Sequence, residues 1–150
     1  MILTYLLALT CIYVVHSECP VGWVVGNTSC YLFHHEKLSW TVASHYCRSV
    51  GGHLATVESK QEKDEIHEFS KYHSAGDFWL DGIDDVHESD WRWASTYSII
   101  DPTFWHPGQP DNLNDNEDCL EVRTGDHGRW NDDECDKHQF CLCEKSLTNK

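Results

Sequence analysis

Residues 109–132 read QPDNLNDNEDCLEVRTGDHGRWND, and oxygen-bearing side chains stand at both ends of this stretch. The amides and carboxylates that frame it are Gln109, Asp111, Glu117, Asn131 and Asp132. Calcium binds about six to eight oxygen ligands, which come from carboxylates, amide carbonyls and backbone carbonyls. These five side chains supply most of such a set, so the stretch predicts a calcium site.

The composition predicts one domain and an acidic surface. The chain has 150 residues, of which 40% are hydrophobic, and it contains 7 tryptophans. That is enough apolar material for one core of ordinary size. The formal net charge is -14, from 11 basic against 25 acidic residues. Such a charge repels phosphate backbones, so we expect no nucleic-acid partner and favour cations as ligands.

The amino-terminal segment has the pattern of a secretion signal. Residues 1–17 carry no charged side chain and are apolar from Ile2 to Val15. This predicts a signal peptide over 1–17 and a mature domain over 18–150. A membrane anchor is the alternative, but the stretch is too short to span a bilayer comfortably. We therefore expect a secreted, extracellular protein without membrane insertion, and the sequon at Asn27 predicts N-glycosylation.

The cysteine count favours disulfide bonds. Removal of Cys11 with the predicted signal peptide leaves Cys19, Cys30, Cys47, Cys119, Cys135, Cys141 and Cys143. In an oxidising compartment six of these can form three bridges, and the seventh either links two chains or stays free. Zinc is the other use of cysteine, but paired Cys-x-x-Cys units are absent from the sequence.

Two helices are predicted in the first half of the chain. The first extends from Ser39 to Val50, where apolar residues recur at helical spacing before two glycines. The second begins at Ser59, with Glu62 as its capping-box partner, and fades near Tyr72.

The rest of the chain is predicted to form short strands and one long loop. The strands are the aromatic and aliphatic runs at 78–83, 91–93, 119–122, 128–130 and 140–143. The loop, residues 94–117, contains three prolines and has no periodicity. Loops of this length in a compact domain are usually functional or disordered, and Phe104 and Trp105 favour an anchored loop.

These motifs together resemble the C-type lectin domain family, in its longer form with an extra amino-terminal cysteine pair. The resemblance covers residues 19–144. It rests on Cys19-Pro20-x-Gly22-Trp23, Ser39-Trp40-x-x-Ala43-x-x-x-Cys47, Trp79-Leu80-Asp81-Gly82-Ile83, Glu88-x-x-Trp91-x-Trp93, Gln109-Pro110-Asp111, Trp130-Asn131-Asp132 and Cys143-Glu144. It implies an α+β fold in which two helices flank small antiparallel sheets, with a long calcium-binding loop and disulfide staples.

The resemblance also implies a disulfide pattern and a role for each candidate ligand. The implied bridges are Cys19–Cys30, Cys47–Cys143 and Cys119–Cys135. The implied ligands of the main calcium site are Gln109, Asp111, Glu117, Asn131 and Asp132, with a cis peptide bond before Pro110. A second calcium site is matched to Asp85, Glu88, Asn112 and Asp118, with help from Glu117, although the spacing from Asp85 to Glu88 departs by about one residue.

Cys141 is left without a partner in this pattern. It lies two residues from Cys143, so both side chains share one face of a strand and Cys141 could compete for Cys47. A buried structural thiol and an interchain disulfide are the two interpretations of this cysteine.

In this family such a calcium site binds sugars through two neighbouring hydroxyls, which also form hydrogen bonds with the ligand side chains. The order Gln-Pro-Asp usually accompanies galactose or N-acetylgalactosamine. No aromatic residue follows at Asn112, Leu113 or Asn114, so mannose-type sugars remain open. His106 and His127 flank the site and are candidates for further ligand contacts.

The resemblance thus implies a secreted, calcium-dependent lectin without catalytic activity. Binding at one exposed site is weak, so we expect homodimers or higher oligomers that agglutinate or recognise microbial glycans in innate defence. Two alternatives come from other classes. One is a glycosidase that uses the clustered carboxylates, and the other is a protein of the same fold that binds mineral or ice surfaces.

Overall fold

The computed structural model describes residues 17–73, 76–84 and 86–149. The predicted signal peptide therefore lies outside the described residues except for Ser17, and so does Asp85. The described strands are β1 (Ser17–Glu18), β2 (Val24–Val25), β3 (Ser29–Leu38), β4 (His53–Leu54), β5 (Phe78–Ile83), β6 (Arg92–Trp93), β7 (Cys119–Arg123), β8 (Arg129–Asp133), β9 (Gln139–Ser146) and β10 (Thr148–Asn149).

Both predicted helices are present, close to their predicted bounds. Helix α1 is Trp40–Ser49, with Ser39 at its N-cap, and it buries Ala43, Ser44 and Cys47. Helix α2 is Lys60–His73.

The start of α2 is capped by side chains. The hydroxyl of Ser59 accepts a hydrogen bond from the Glu62 backbone N–H at 3.1 Å. The Glu62 carboxylate accepts from the Glu58 backbone N–H at 2.8 Å. This differs slightly from the predicted capping box, because Glu62 reaches the residue before the cap.

One mixed sheet organises the domain in the described residues. Its eight strands follow the order β2-β3-β9-β5-β7-β8, with β4 paired to β9 and β6 paired to β5. The β5–β9 pair is parallel, with Phe78 opposite Phe140, whereas the other strand pairs are antiparallel. The α+β class is thus confirmed, but the expected small antiparallel sheets are joined by this parallel pair into one larger sheet.

The long strand β3 was not among the predicted strands. Its first half buries Tyr31 and Phe33, whereas residues 35–37 are exposed. The run His34-His35-Glu36-Lys37 interrupts the hydrophobic alternation on which strand prediction depends. Residues 29–34 of β3 nonetheless pair with β9. The pairing resumes at Leu38 after a register irregularity.

Three disulfides cross-link the domain, and they are the three that the resemblance implied: Cys19–Cys30, Cys47–Cys143 and Cys119–Cys135. The second ties α1 to β9 across 96 residues of sequence. The third closes the turn after β8 onto β7. Because β8 carries Asn131 and Asp132, this last bridge holds the end of β8 close to the candidate site.

Aromatic rings anchor the long loop, as its sequence predicted. Trp105 forms an isolated parallel bridge with Trp130, and its ring packs edge-on against Trp91 with centroids 4.8 Å apart. Phe104 packs edge-on against Trp130 at 5.1 Å. The loop therefore enters the site region from a fixed point on the core.

Candidate functional site

The long loop and β8 bring together three of the five predicted ligands of the main calcium site. The Gln109–Pro110 peptide bond is cis, as expected. Among the described residues, Asp111, Glu117 and Asp132 each offer a carboxylate oxygen, and these oxygens lie within 4.8 Å of one another. Asp132 is fully buried and Glu117 is 6% exposed. Like charges at this distance repel, so the arrangement favours a cation between them.

Two amide oxygens at the same site accept no hydrogen bond from the protein. They are Oε1 of Gln109 and Oδ1 of Asn131, and both atoms are buried. A buried acceptor left unsatisfied costs about 1–3 kcal/mol, so such atoms are rare without a ligand. Gln109 stands two residues before Asp111, and Asn131 stands directly before Asp132. The two amide oxygens and the three carboxylates together make a set of hard donors that fits calcium.

Backbone hydrogen bonds hold the loop against Asp132. Its Oδ1 accepts from the Asp111 N–H at 3.2 Å, and its Oδ2 accepts from the Asn112 N–H at 2.6 Å. The Glu117 carboxylate accepts from the Leu113 N–H at 3.1 Å. Asn112 has left-handed backbone angles (φ 42), which asparagine tolerates better than most residues. The sequence thus folds the loop back on its own carboxylates.

The electrostatics of the site favour binding of a cation. Burial raises the pKa of Glu117, and the carboxylates of Asp132 and Asp133 raise it further. The hydrogen bond from the Leu113 backbone acts in the opposite direction. A bound cation offsets both the burial and the repulsion.

A second acidic cluster adjoins the first, and its central residue is Asp84. Asp84 is 4% exposed, and its Oδ1 is buried without a hydrogen-bond partner. Burial raises the pKa of Asp84 to about 6, with added repulsion from Glu88, Asp118 and Asp132. The other oxygen, Oδ2, accepts from the Ser89 N–H at 2.9 Å.

The second-site residues predicted from the sequence fall partly in this cluster. Glu88 accepts a hydrogen bond from the Asn112 side-chain amide at 2.6 Å. Asp118 accepts from the Asp84 N–H through its backbone oxygen at 3.3 Å. Asp85 lies outside the described residues, and sequence reasoning missed Asp84. The available signal was the spacing, since Asp84 stands four residues before Glu88 whereas Asp85 stands three before it.

Asn112 has both of its functional atoms engaged. Its Oδ1 accepts from the Glu117 N–H at 2.9 Å, and its side-chain nitrogen donates to Glu88. A carbonyl oxygen has two lone pairs, so the hydrogen bond from Glu117 leaves one lone pair of Asn112 for a cation.

The two flanking histidines differ in their surroundings. The His106 carbonyl accepts from the Gln109 N–H at 2.8 Å, and its ring Nδ1 pairs with the Asp126 carboxylate. His127 has left-handed backbone angles and an exposed side chain. Only His106 is therefore tied to the loop that carries the predicted ligands.

Cys141 is a buried free thiol. Its sulfur lies within 4.8 Å of the sulfurs of Cys47 and Cys143, and burial raises its pKa to about 12. Its side chain packs in the core at 0% exposure. This placement favours the structural-thiol interpretation, because an interchain bond requires a sulfur at the surface.

These features define a disulfide-stapled α+β domain in which three carboxylates converge. Residues 36–145 match the family described as the Lectin C-type domain. The chain belongs to the C-type lectin domain family. Among the described residues no helix is both long and apolar enough to cross a membrane.

The chain is similar to several known proteins, some of which are named lectins. C-type lectin domain family 10 member A of Homo sapiens is 36% identical over 135 residues, which cover 86% of this chain and 40% of that protein. Perlucin of Haliotis laevigata is 38% identical over 130 residues, which cover 85% of this chain and 83% of that protein. The structure is also similar to C-type lectin CEL-I from Cucumaria echinata, with a TM-score of 0.79, 30% identity, and coverage of 89% of this chain and 99% of that chain. The chain thus spans less than half of the human relative and most of the other two.

Proposed function

We propose that this domain binds carbohydrate through a calcium ion held by Gln109, Asp111, Glu117, Asn131 and Asp132. The observation that carries the proposal is the pair of buried, unpartnered amide oxygens beside three converging carboxylates. When bound, calcium supplies Lewis-acid sites that attract the lone pairs of sugar hydroxyls. Asp84, Glu88, Asn112 and Asp118 form the proposed second calcium site, and Asp84 replaces Asp85 in this set.

The side chains of the main site supply the matching hydrogen bonds to a diol. Gln109 has an amide that donates, and Asp111 and Glu117 have carboxylates that only accept when ionised. A hydroxyl both donates and accepts, so one hydroxyl can use an amide and a carboxylate at once. Sugars with two correctly spaced hydroxyls therefore fit better than isolated alcohols.

The order of amide and carboxylate supports galactose or N-acetylgalactosamine as the ligand. Gln109 precedes Asp111, the order that usually accompanies galactose in this family. Leu113, at 59% exposure, is the apolar side chain nearest in sequence to this motif. It offers less surface for stacking than an aromatic ring, so mannose-type sugars are the competing ligands.

A binding role without catalysis follows from how the carboxylates are used. Asp132 accepts two backbone hydrogen bonds with its two oxygens, and Glu117 accepts one. A carboxylate committed to a cation and to the backbone is a poor proton shuttle. We further propose that the protein is secreted and acts as a dimer or higher oligomer, since several weak sites on one particle provide the avidity for agglutination or microbe recognition.

The test is retention on galactose and mannose resins with and without calcium. We expect retention in calcium, release by chelator and release by free sugar. Asp111→Ala should abolish retention while the domain stays folded. Asp115→Asn is the matched control, because Asp115 is an exposed carboxylate of the same loop that lies outside the ligand set.

Three outcomes separate the alternatives. Retention that persists in chelator rejects the calcium-bridged mechanism. Calcium-dependent retention that free sugar does not release favours the alternative of a mineral- or ice-binding surface. Turnover of a glycan during the incubation supports the glycosidase alternative.

A further inference from the structure

Glu121 is a buried carboxylate that accepts a hydrogen bond from one of the proposed calcium ligands, Asn131. It lies on β7 opposite Asn131 of β8 in the strand register, and it is 3% exposed. We propose that Glu121 is a positioning residue, which orients the Asn131 amide so that its oxygen faces the cation site. This inference rests on the proposed function and assigns a role to a residue outside the ligand set.

The hydrogen bonds of Asn131 carry the inference. Its side-chain nitrogen donates to Glu121 Oε1 at 2.9 Å and also to the backbone oxygen of Asp132. Its Oδ1 is buried and accepts no hydrogen bond from the protein. Rotation of the amide by a half-turn would place this oxygen against the Glu121 carboxylate, and two acceptors repel. Glu121, together with the backbone oxygen of Asp132, therefore selects one of the two amide orientations.

Glu121 is itself held on both of its oxygens. Its Oε2 accepts from the Gln139 side-chain amide at 2.8 Å, and its Oε1 also accepts from Arg123 Nε at 3.2 Å. Gln139 additionally donates to Asp133 at 3.2 Å. The carboxylate thus cannot turn away from Asn131 without loss of several charge-assisted hydrogen bonds.

A role in fold stability alone does not explain a carboxylate at this position. At 3% exposure, the Glu121 carboxylate has little access to water that could solvate its charge. An ionised group in such a place reduces the stability of the fold, and apolar residues of similar volume often do better. The hydrogen bond to Asn131 explains why a carboxylate is placed here despite the loss of stability, because residues that hydrogen-bond to metal ligands fix the orientation of those ligands.

The test compares Glu121→Leu, Glu121→Gln and the control Glu144→Gln. Glu144 is also a buried carboxylate of the same sheet, at 7% exposure. It accepts from Ser29 and Thr56 and touches no proposed calcium ligand in these bonds. Calcium affinity is measured by titration calorimetry, and the Asn131 side-chain amide protons are followed by NMR in calcium-free protein.

We expect Glu121→Leu to weaken calcium binding by about 10–100-fold, the usual effect of losing an outer partner of a ligand. Glu121→Gln should recover much of this loss, since its carbonyl oxygen can accept from Asn131. Glu144→Gln should leave calcium affinity within about twofold of the wild type, whatever it does to fold stability. In the calcium-free NMR spectrum, the Asn131 proton bound to Glu121 should lie downfield and should lose that shift in Glu121→Leu.

The outcomes are distinguishable from failure of the proposed function. A wild-type protein that binds no calcium overturns both proposals. A wild-type protein that binds calcium, together with Glu121→Leu of equal affinity and an unchanged Asn131 spectrum, overturns only the positioning role. If Glu121→Leu does not fold, Gln139→Leu removes the support of Glu121, and an unaltered calcium affinity there rejects the inference.

Discussion

The side-chain amide of Asn112 donates a hydrogen bond to the Glu88 carboxylate at 2.6 Å, across 24 residues of sequence. The backbone N–H of the same residue donates to Asp132 at 2.6 Å. Asn112 therefore joins the second acidic cluster to the main one. Asn112 contacts the second cluster through its side chain and the main cluster through its backbone N–H. We therefore expect a cation bound at one cluster to order Asn112 for the other.

The choice between Asp84 and Asp85 gives the first prediction. Asp84→Asn should remove one of two calcium-binding events or weaken it at least about tenfold, because a buried ionised oxygen is lost. Calorimetric titration measures both affinity and stoichiometry. Asp85→Asn is the matched neighbour and should leave both unchanged. If Asp85→Asn weakens calcium binding and Asp84→Asn does not, then Asp85 is the ligand and Asp84 is not.

Calcium affinity should fall in mild acid. Burial raises the pKa of Asp84 to about 6, and calcium binds the ionised carboxylate only. Affinity at the second site should therefore be constant above about pH 7 and fall roughly tenfold per pH unit below about 6. Titrations at pH 5, 6, 7 and 8 check this. A flat affinity between pH 5 and pH 7 contradicts the assignment.

In calcium-free protein, the contribution of Asp84 to the free energy of unfolding should fall as the pH rises, whereas calcium affinity should increase. A carboxylate whose folded-state pKa lies above its unfolded value binds its proton more tightly in the folded state. The resulting stability is complete below about pH 4 and is lost as the pH rises through about 6. For Asp84 the loss is ~3 kcal/mol. Urea unfolding in chelator should show this decline, and Asp84→Asn should reduce it.

Sugar selectivity should follow the order of amide and acid in the loop. Gln109→Glu replaces an amide donor with an acceptor, and Asp111→Asn replaces an acceptor with an amide donor, so the directions of the hydrogen bonds to a diol reverse. We expect the ratio of galactose to mannose binding to fall. A glycan array with equal calcium loading of both proteins measures this ratio. An unchanged profile would show that selectivity resides outside these two residues.

Much of the candidate site was predictable because its residues are amides and carboxylates, which are recognisable in the sequence as oxygen donors. The carboxylates of Asp111, Glu117 and Asp132 lie close together, whereas the role of all five residues as calcium ligands stays a prediction. Asp84 was not predictable with certainty, because two aspartates follow β5 in succession and adjacent residues at the end of a strand face opposite sides. A shift of one residue exchanges one aspartate for its neighbour, and the three-dimensional structure is needed to show that Asp84 is the buried one with an unpartnered oxygen.

Glu121 and the parallel β5–β9 pair were missed for a related reason. A glutamate within CLEVR is expected at the surface, and its burial depends on Asn131 and Gln139 arriving from other strands. Likewise, the sequences of β5 and β9 do not state their relative direction. Such features arise from contacts between segments far apart in the chain. Helix caps, turns and candidate loop ligands, in contrast, can be predicted from neighbouring residues in the sequence.

The buried position of Cys141 gives the last prediction. With a pKa of about 12, about one thiol in ten thousand is ionised at pH 8, and the thiolate is the reactive form. The folded protein should therefore react slowly with a thiol reagent and run as a monomer on a non-reducing gel. After unfolding in denaturant, one thiol per chain should react promptly. Peptide mapping should recover Cys47 bonded to Cys143.

Cys141→Ala and Cys141→Ser distinguish a packed thiol from an exposed one. Alanine should cost on the order of 1 kcal/mol of unfolding free energy through lost packing. Serine should cost more, about 1–3 kcal/mol, because it buries a polar hydroxyl in an apolar core. If both variants match the wild type in stability while a disulfide-linked dimer disappears, then Cys141 reaches the surface and links two chains.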